Sequence, residues 1–523
     1  MGRKKTAIWS AFEEVDKSGS FKSNRVRCIH CGHQFTAHAN RMKEHLRECP
    51  KYREAVYKGV APQIDLSSVR YDVSRDGSAD KVYGRGTPAD TTSPRIYYKA
   101  GIVGGGNGSS IGALHLNAIT LSRRARLVCG CFSSDPSKSK AAGAQYGLHR
   151  NRVYKDYEQM FQHEMELPEA DRMDFVIIAT PTSTHYKIAY QALTSGFHVM
   201  CESPMCLTEE EASKLNQLAL EKHLLFAVSY PYCFFSMLRY ARDLIVNNAI
   251  GEVCSVRISF LQNKGILDTP NWQMGAHANT NSLSFSDLGL QSYQILRFVT
   301  NMNPSRVSAC LSKSIDSHPS EDIAGVLVHM KEGCYCQLSV SKVSLLHEND
   351  LTVEIDGLMG GIRWELEKPG ELVYQRVNMN RMILTPESPP IIDHVRVQGG
   401  RLPQGCQENF VDALMNMYRV FFNALDTGYY KDMPLLQSGY TSILDGMEGI
   451  VFQSRIMESS QNGCSWIVIH PTVPTDPIAS PVPAMPMPTG TNYTNFQMMN
   501  TLPFSDIRQM NLAPPVAIDD NSL

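Results

Sequence analysis

Long apolar runs are missing from this sequence. None of its 523 residues belongs to a run of about 18 apolar residues, the minimum that marks a membrane-spanning helix, so we expect no membrane contact. The first residues, MGRKKTAIWS, lack an apolar segment behind their basic ones, which argues against a secretory signal. The 14 cysteines lack a regular spacing, which argues against a disulfide framework and favours a reducing compartment. We therefore expect a nuclear or cytoplasmic location, or both.

A strong net charge is also lacking, because the formal charge at pH 7 is −2. The charge is nevertheless spread unevenly. Residues 1–60 carry 13 Lys and Arg against 6 Asp and Glu, a local charge of +7, which leaves −9 for the rest of the chain. A basic head on an acidic body predicts a polyanion-binding module joined to a second kind of protein.

The length excludes a single domain, since domains usually have roughly 100–200 residues. A segment rich in Ser, Asp, Gly and Pro predicts a flexible linker, and a segment rich in Pro, Thr, Asn and Met predicts a disordered tail. The predicted segments are a zinc finger (1–58), a linker (59–95), a Rossmann dinucleotide-binding domain (96–230), a carboxy-terminal α/β domain (231–468) and the tail (469–523).

The fold class that the sequence predicts is α/β. From residue 97 to 230, strand-like and helix-like segments alternate, which predicts a doubly wound parallel sheet of the Rossmann type. The helix after the fourth strand begins with a capping box from Thr208 to Glu211. From about residue 240 to 375, apolar and polar residues alternate, which predicts an open, largely antiparallel sheet with a hairpin turn at 331–333. The sequence also predicts a small ββα-like zinc finger that precedes both domains.

The amino-terminal segment CIHCGHQFTAHANRMKEHLREC has the ligand types and spacing of a structural zinc site. Cys28 and Cys31 fit a hairpin, while His45 and Cys49 lie one turn apart on one helix face. Metal binding would supply folding energy that so short a segment lacks. Together with the aromatic residues upstream of it, the segment resembles a BED-type zinc finger over residues 5–50. Fingers of this type are DNA-binding modules. This resemblance implies DNA contacts by Arg25, Arg27, Arg41, Lys43 and Arg47; the alternative is a solvated basic surface on a protein-binding finger.

The segment GIVGGGNGSSIGALH follows a strand and opens a helix, as a dinucleotide-binding loop does. Gly104 and Gly106 would permit the tight turn and the approach of a pyrophosphate. Ser109 occupies the third glycine position of the usual motif, and Gly112 takes that role if three residues are inserted. The alternative is a glycine-rich turn that only reverses the chain.

The end of the second strand bears on the choice of cofactor. An acidic residue there would bind the ribose hydroxyls of NAD. Here Ser133 and Ser134 precede Asp135, and Lys138 follows. Because hydroxyls with a lysine suit a 2′-phosphate, NAD and NADP both stay open.

Residues 97 to about 460 resemble the Gfo/Idh/MocA oxidoreductase family, which includes glucose-fructose oxidoreductase and inositol dehydrogenases. The landmarks run in order: the glycine loop, SSDPSKS, IIATPTSTH, CESP, IGEV, DLGLQSYQILRFVT and RLPQGCQENFVDALMNMY. The resemblance implies a nicotinamide cofactor between the two domains and a homo-oligomer formed through the open sheet. It also implies five cofactor-lining residues, which are Thr180, Pro181, Thr182, His185 and, beside the nicotinamide, Glu202.

The residues that exchange the substrate's proton differ from the family's. Oxidation of an alcohol by hydride transfer needs such a group, and in the family a Glu-Lys-Pro lysine and a histidine four residues after an aspartate do this. Here Asp287 is retained, but Ser203 stands at the lysine position and Gln291 at the histidine position. Neither side chain titrates near neutral pH.

Few side chains offer themselves as substitutes. Lys264 and His277 fall near the expected cleft, although exposed loop positions are the simpler interpretation. Tyr230 and Tyr232 fit either a pocket wall or ordinary packing. Cys201 and Cys206 fit small buried residues rather than nucleophiles.

These observations favour a catalytically impaired, NAD(P)-binding protein with a DNA-binding finger, which acts as a ligand-sensing regulator. The first alternative is an active NAD(P)-dependent oxidoreductase on a sugar or polyol, with a relocated acid or base. The second is a fusion derived from a mobile element. In the first two, the expected ligand is a small sugar-like or polyol molecule.

Overall fold

A computed structural model describes residues 12–15, 25–29, 34–36, 51, 97–106, 109–267, 282, 284–388, 391, 405–428 and 440–469. The chain forms two compact units, Met1–Ala89 with Ser480–Leu523 and Asp90–Ala479. Among the described residues, no helix combines the length and the apolarity that crossing a membrane requires. The predicted linker lies outside the described residues, as does the predicted tail except for its first residue, Ile469.

The first unit contains a small antiparallel sheet of three strands, in the order β1-β2-β3. They are β1 (Phe12–Val15), β2 (Arg25–Cys28) and β3 (Gln34–Thr36). Cys28, at the end of β2, is buried. The other predicted zinc ligands, Cys31, His45 and Cys49, lie outside the described residues, as do Arg41, Lys43 and Arg47. Within the described part of the chain no group of three or more His, Cys, Asp and Glu side chains suits a metal, so the zinc finger stays a prediction.

The second unit begins with the predicted parallel sheet, whose five strands have the order β5-β4-β6-β7-β8. The strands pair in parallel throughout, and every residue of the central strand β6 is buried. The elements are β4 (Tyr98–Gly104), α1 (Ser110–Ser122), β5 (Ala125–Cys131), α2 (Pro136–Gln145), α3 (Tyr157–Glu166), β6 (Phe175–Ala179), α4 (Thr182–Thr194), β7 (His198–Glu202), α5 (Glu209–Glu221) and β8 (Phe226–Ser229).

The strand order places a binding crevice in this sheet. After β4 the chain crosses to β5 on one side and then returns to β6 on the other. Ligands of such sheets bind outside the carboxyl ends of the strands at this reversal. The loops after β4, β5, β6 and β7 are therefore the ones to inspect.

The capping box of α5 is confirmed in one half and differs in the other. The Thr208 hydroxyl accepts a hydrogen bond from the Glu211 amide at 3.2 Å. The Glu211 carboxylate, however, accepts from the amide of Leu207 at 3.0 Å, one residue before the N-cap. The residues predicted on the inner face, Ala212, Leu215 and Ala219, are all buried.

The second sheet has nine strands in the order β16-β15-β14-β13-β9-β12-β11-β10-β17. Only β9 and β12 pair in parallel among its described strands, so the sheet is mixed. The predicted hairpin joins β11 to β12, with Gly333 at a φ of 91°. The strands are β9 (Val253–Leu261), β10 (Pro304–Ser312), β11 (Ile323–Met330), β12 (Tyr335–Ser341), β13 (Asp350–Gly357), β14 (Gly360–Glu365), β15 (Leu372–Arg376), β16 (Met382–Leu384) and β17 (Ile467–Val468).

Helices α6 (Ser236–Val246) and α8 (Leu290–Thr300) pack on this sheet, and α7 (Lys264–Leu267) follows β9. Buried and more exposed residues alternate along β11 and β13, because one face of each strand meets the core. On the opposite face Arg257 forms ion pairs with Glu354 at 3.0 Å and Asp356 at 2.8 Å.

The last two helices return to the first sheet. Helix α9 (Phe410–Thr427) packs on α1, and α10 (Ile443–Gln461) lies between α5 and β10. Tyr98 of β4 stacks on Phe422 of α9, with ring centroids 5.4 Å apart. The segment predicted as the second domain therefore also completes the packing of the Rossmann sheet.

Candidate active site

The loop after β4 has a backbone that only glycine accommodates. Gly104 and Gly105 adopt φ values of 92° and 71°, which side chains disfavour. A Cβ at Gly106 would lie 2.5 Å from the Phe132 carbonyl oxygen, and a Cβ at Gly112 would overlap the Cα of Gly105. Gly112 thus has the geometry of the third glycine, which lets the helix pack closely on the strand.

The loop after β5 has no carboxylate directed at a ribose. Asp135 caps α2 instead, accepting hydrogen bonds from the amides of Ser137 at 2.8 Å and Lys138 at 3.3 Å. Ser133 accepts from the Asp135 amide at 3.1 Å. Ser134 and Lys138 are exposed, so the structure leaves hydroxyls and a cation at this edge.

The loop after β6 presents Thr180 and Pro181 toward solvent, while Thr182 is buried. His185 lies behind this loop, with 1% of its surface exposed. Its ring contacts the carbonyl oxygens of Thr180 and Pro204, each at 2.7 Å. This placement favours a role in holding the loops after β6 and β7 together over a role in direct contact with a cofactor.

Glu202, the last residue of β7, belongs to a chain of hydrogen-bonding groups that the sequence did not reveal. Its carboxylate meets His115 Nε2 at 2.6 Å, and His115 Nδ1 meets the Tyr418 hydroxyl at 2.7 Å. His115 is completely buried. Burial and the charge of Glu202 raise the pKa of Tyr418. These hydrogen bonds fix the orientation of the Glu202 carboxylate.

Ser203 follows β7 directly, and Gln291 lies in the first turn of α8. The Ser203–Pro204 peptide bond is cis. Burial raises the pKa of Tyr230, and the adjacent Ser203 hydroxyl opposes this. The Gln291 amide donates to the Ser229 carbonyl at 3.3 Å, and Ser229 pairs with Glu202 across β7 and β8.

Buried polar atoms next to Glu202, Ser203 Oγ among them, lack hydrogen-bond partners within the described residues. Neither Gln291 Oε1 nor Ser229 Oγ has a hydrogen-bond partner within the part of the chain that the structure describes. Buried polar atoms are nearly always paired with protein, water or a ligand. The pair therefore points to a polar ligand at the carboxyl end of β7 and β8.

Asp287 lies in a π-helical turn, Phe285–Gly289, directly before α8. Such turns occur often at functional sites. Its carboxylate accepts a hydrogen bond from Lys342 Nζ at 2.6 Å. Burial is the main factor that raises the pKa of Tyr232, and the charges of Asp287 and Glu202 add to it. The charges of both carboxylates therefore act on the same tyrosine.

The other candidates of the sequence analysis divide clearly. Cys201 and Cys206 are buried, and burial raises the pKa of both thiols, which fits small core residues. Lys264 is exposed on α7, and His277 lies outside the described residues. The sequence had not predicted that Lys342 would contact Asp287.

Comparison with known proteins identifies the family. Residues 98–230 match the model described as "Oxidoreductase family, NAD-binding Rossmann fold", and residues 238–363 match the Gfo/Idh/MocA carboxy-terminal domain. The crystal structure of an oxidoreductase from Sinorhizobium meliloti is 30% identical, with a TM-score of 0.63 over 71% of this chain and 99% of that one. This chain belongs to the Gfo/Idh/MocA oxidoreductase family.

Other relatives agree with this assignment. The uncharacterized oxidoreductase YfiI of Bacillus subtilis is 27% identical over 70% of this chain and 95% of its own length. An inositol dehydrogenase homologue from Azotobacter vinelandii, solved with NADH and myo-inositol, is 27% identical, with a TM-score of 0.67 over 72% of this chain and 99% of that one.

The geometry fits the cofactor of a Gfo/Idh/MocA protein. The loop after β4 keeps its backbone free of side chains at Gly104, Gly105 and Gly106, as a pyrophosphate requires. Ser229 pairs with Glu202 across β7 and β8, and the Gln291 side chain reaches Ser229, at the end where the family resemblance places the nicotinamide. The described residues thus suit both ends of a nicotinamide dinucleotide.

Proposed function

We propose that this chain is an active NAD-dependent oxidoreductase, which interconverts a hydroxyl and a carbonyl group on a sugar or polyol. The observation that carries the proposal is that Gln291, one helical turn after Asp287, donates to the carbonyl of Ser229, the residue that pairs with Glu202. Glu202 ends a strand of the nucleotide-binding sheet, and Asp287 belongs to the turn that packs against the second sheet. A ligand between them would touch both the cofactor and the retained aspartate.

The residues divide the work of such a reaction. The bound nicotinamide would accept or return the hydride. The glycine loop would hold the pyrophosphate through its backbone amides. The partnerless oxygens of Gln291 and Ser229 would accept hydrogen bonds from hydroxyl or amide donors, which a polyol supplies in number.

The relatives support a polyol or sugar as the substrate class. The Azotobacter vinelandii inositol dehydrogenase homologue, which this chain covers over nearly its whole length, was solved with NADH and myo-inositol. A relative from Bacillus subtilis, glucose-6-phosphate 3-dehydrogenase, is 24% identical over 72% of its length. The two names concern a polyol and a sugar phosphate, and both are rich in hydroxyl groups.

The impaired enzyme expected from Ser203 and Gln291 is less well supported. That expectation depended on the loss of the family's lysine and histidine, at Ser203 and Gln291, with no substitute in view. Asp287 is retained, and Lys342 Nζ donates a hydrogen bond to its carboxylate. The dehydrogenases among the relatives also favour activity. DNA binding and a regulatory role stay predictions of the finger alone.

The test is a cofactor titration of the full chain followed by a turnover assay. NADH and NADPH are each titrated by bound-cofactor fluorescence, and thermal unfolding is followed at saturation. A ligand at about 100 times its Kd adds about 2.7 kcal/mol of stability. Oxidation of a panel of polyols and sugars is then followed through the nicotinamide absorbance.

The matched variant is Asp287→Asn, which keeps the size of the side chain and removes its charge. We expect it to bind NADH as the wild type does and to lose most of the turnover. Tight NADH binding by the wild type with no turnover of any substrate, in either direction, would contradict the proposal and favour a ligand sensor.

A further inference from the structure

Lys342 is an unusually enclosed lysine. It follows β12, and only 9% of its surface is exposed, whereas lysines are rarely buried unless they are paired. Two backbone hydrogen bonds hold it in place: its amide donates to the Asp322 carbonyl at 2.9 Å, and its carbonyl accepts from the Gly265 amide at 2.8 Å. The backbone position of Lys342 is therefore fixed from both sides.

A buried hydrogen bond between a histidine and an aspartate lies in the same region. His318 bridges Asp322, with Nδ1 to Oδ2 at 2.9 Å, and the Gly265 carbonyl, with Nε2 at 3.1 Å. The Asp322 and His318 side chains are almost completely buried. The two segments that hold Lys342 are thus tied to each other, and the lysine is positioned by a rigid frame.

The side chain of Lys342 has one partner. Nζ donates to Asp287 Oδ2 at 2.6 Å, and the two side chains are 11% and 48% exposed, respectively. An ion pair with a half-exposed carboxylate contributes little to stability, because solvent screens it. An ammonium group has three donors, and Lys342 donates to no second acceptor within the described residues. The remaining donors are available to a ligand.

Lys342 is linked to the ligand-binding groups through Asp287. Asp287 precedes Gln291 by one helical turn, and Gln291 reaches the strand end next to Glu202. From the other direction, the Gln262 amide donates to the Ser341 carbonyl at 2.8 Å, and the Gln262 side chain donates to Asn349 at 2.6 Å.

We infer that Lys342, oriented by Asp287, is the acid–base residue of the reaction, taking the part of the lysine that is absent at position 203. The inference rests on the proposed function. In the oxidative direction Lys342 Nζ first gives a proton to solvent; the substrate O–H bond then breaks and its proton moves to Nζ. The electrons of that bond form the C=O bond while the hydride leaves the same carbon for the cofactor. In the reductive direction the ammonium group returns the proton to the oxygen.

Three variants test the inference in the full chain. Lys342→Ala removes the amine, Lys342→Arg keeps a cation that does not lose its proton in proteins, and Lys331→Ala removes an exposed lysine from the opposite end of the same hairpin. We expect the first two to lose turnover by about 100- to 10,000-fold, the usual contribution of a general acid–base. Lys331→Ala should keep wild-type turnover.

Two further readouts separate acid–base chemistry from a structural role. NADH binding and the unfolding temperature of Lys342→Arg should stay close to those of the wild type, because the ion pair with Asp287 is kept. Small primary amines added to Lys342→Ala should restore turnover in proportion to their concentration, with the more basic amines acting more strongly.

The outcomes distinguish the inference from the proposed function. An inactive wild-type chain that binds NADH overturns both. An active wild type with turnover preserved in Lys342→Arg overturns the inference alone, and assigns the pair a structural role. If Lys342→Ala fails to fold, the turnover of Lys342→Arg still decides the question: loss supports the inference and retention overturns it. Loss of turnover in Lys264→Ala with retention in Lys342→Arg would assign the proton to the exposed lysine of α7.

Discussion

The glycine loop makes a quantitative prediction through Gly106→Ala. The new Cβ would lie 2.5 Å from the Phe132 carbonyl oxygen, whereas ordinary contact begins at 3.4 Å, so the loop or the strand end must move by about 0.9 Å. Phe132 is 3% exposed and belongs to the core. Because that backbone is enclosed, the loop moves.

A displacement of this size matters more for the cofactor than for the fold. Moving the loop by about 0.9 Å stretches a hydrogen bond of about 2.9 Å beyond its useful range. A hydrogen bond to a charged group contributes about 1.5–3 kcal/mol, and about 1.4 kcal/mol is a factor of ten. Losing one such bond to the pyrophosphate should raise the Kd for NADH about 10- to 100-fold.

The assay is NADH fluorescence titration of the wild type, Gly106→Ala and Gly325→Ala. Gly325 lies in β11, and a Cβ there meets nothing within 4 Å, so this matched control should bind NADH as the wild type does. The unfolding temperature without cofactor reports whether Gly106→Ala folds. A folded Gly106→Ala with the wild-type Kd would refute the assignment of this loop to the pyrophosphate.

Two other predictions concern the finger and the pH dependence of stability. Elemental analysis of the full chain should find one zinc per chain, lost in Cys28→Ser without a change in NADH affinity; a chain without zinc would contradict the predicted finger. Burial lowers the pKa of His185 below its ordinary value of 6.5, so as the pH falls below 6.5 the unfolded chain binds the proton first. The contribution of His185 to the free energy of unfolding is therefore complete above that pH and declines below it. Denaturant titrations at a series of falling pH values should show a smaller decline of this free energy in His185→Gln than in the wild type. Equal declines in the two proteins would contradict this account.

Local features of the first sheet were predictable from the sequence. The five parallel strands follow from short apolar runs bounded by turns, and the cap of α5 follows from the spacing of Thr208 and Glu211. The role of Gly112 was also accessible, because a helix that opens on a glycine loop needs a small residue where it meets the strand. These features depend on neighbours within a few residues.

The contacts that matter most in the candidate site link distant parts of the chain. Lys342 meets Asp287 because the parallel pairing of β12 with β9 brings the end of β12 to the turn before α8. His115 and Tyr418 meet because α9 returns to pack on α1. Nothing in the local sequence encodes either contact. Because the sequence alone could not place Lys342 at Asp287, the absence of a lysine at position 203 suggested a loss of activity.

The most direct test of the central claim follows the hydride itself. The full chain is mixed with NADH that carries deuterium as its transferable hydrogen and with keto forms of several polyols, including the monoketone of myo-inositol. Mass spectrometry then measures deuterium in the alcohol that forms. We predict deuterium on the carbinol carbon of at least one product. Saturation with NADH and no deuterium in any product would contradict the account of this chain as a working oxidoreductase.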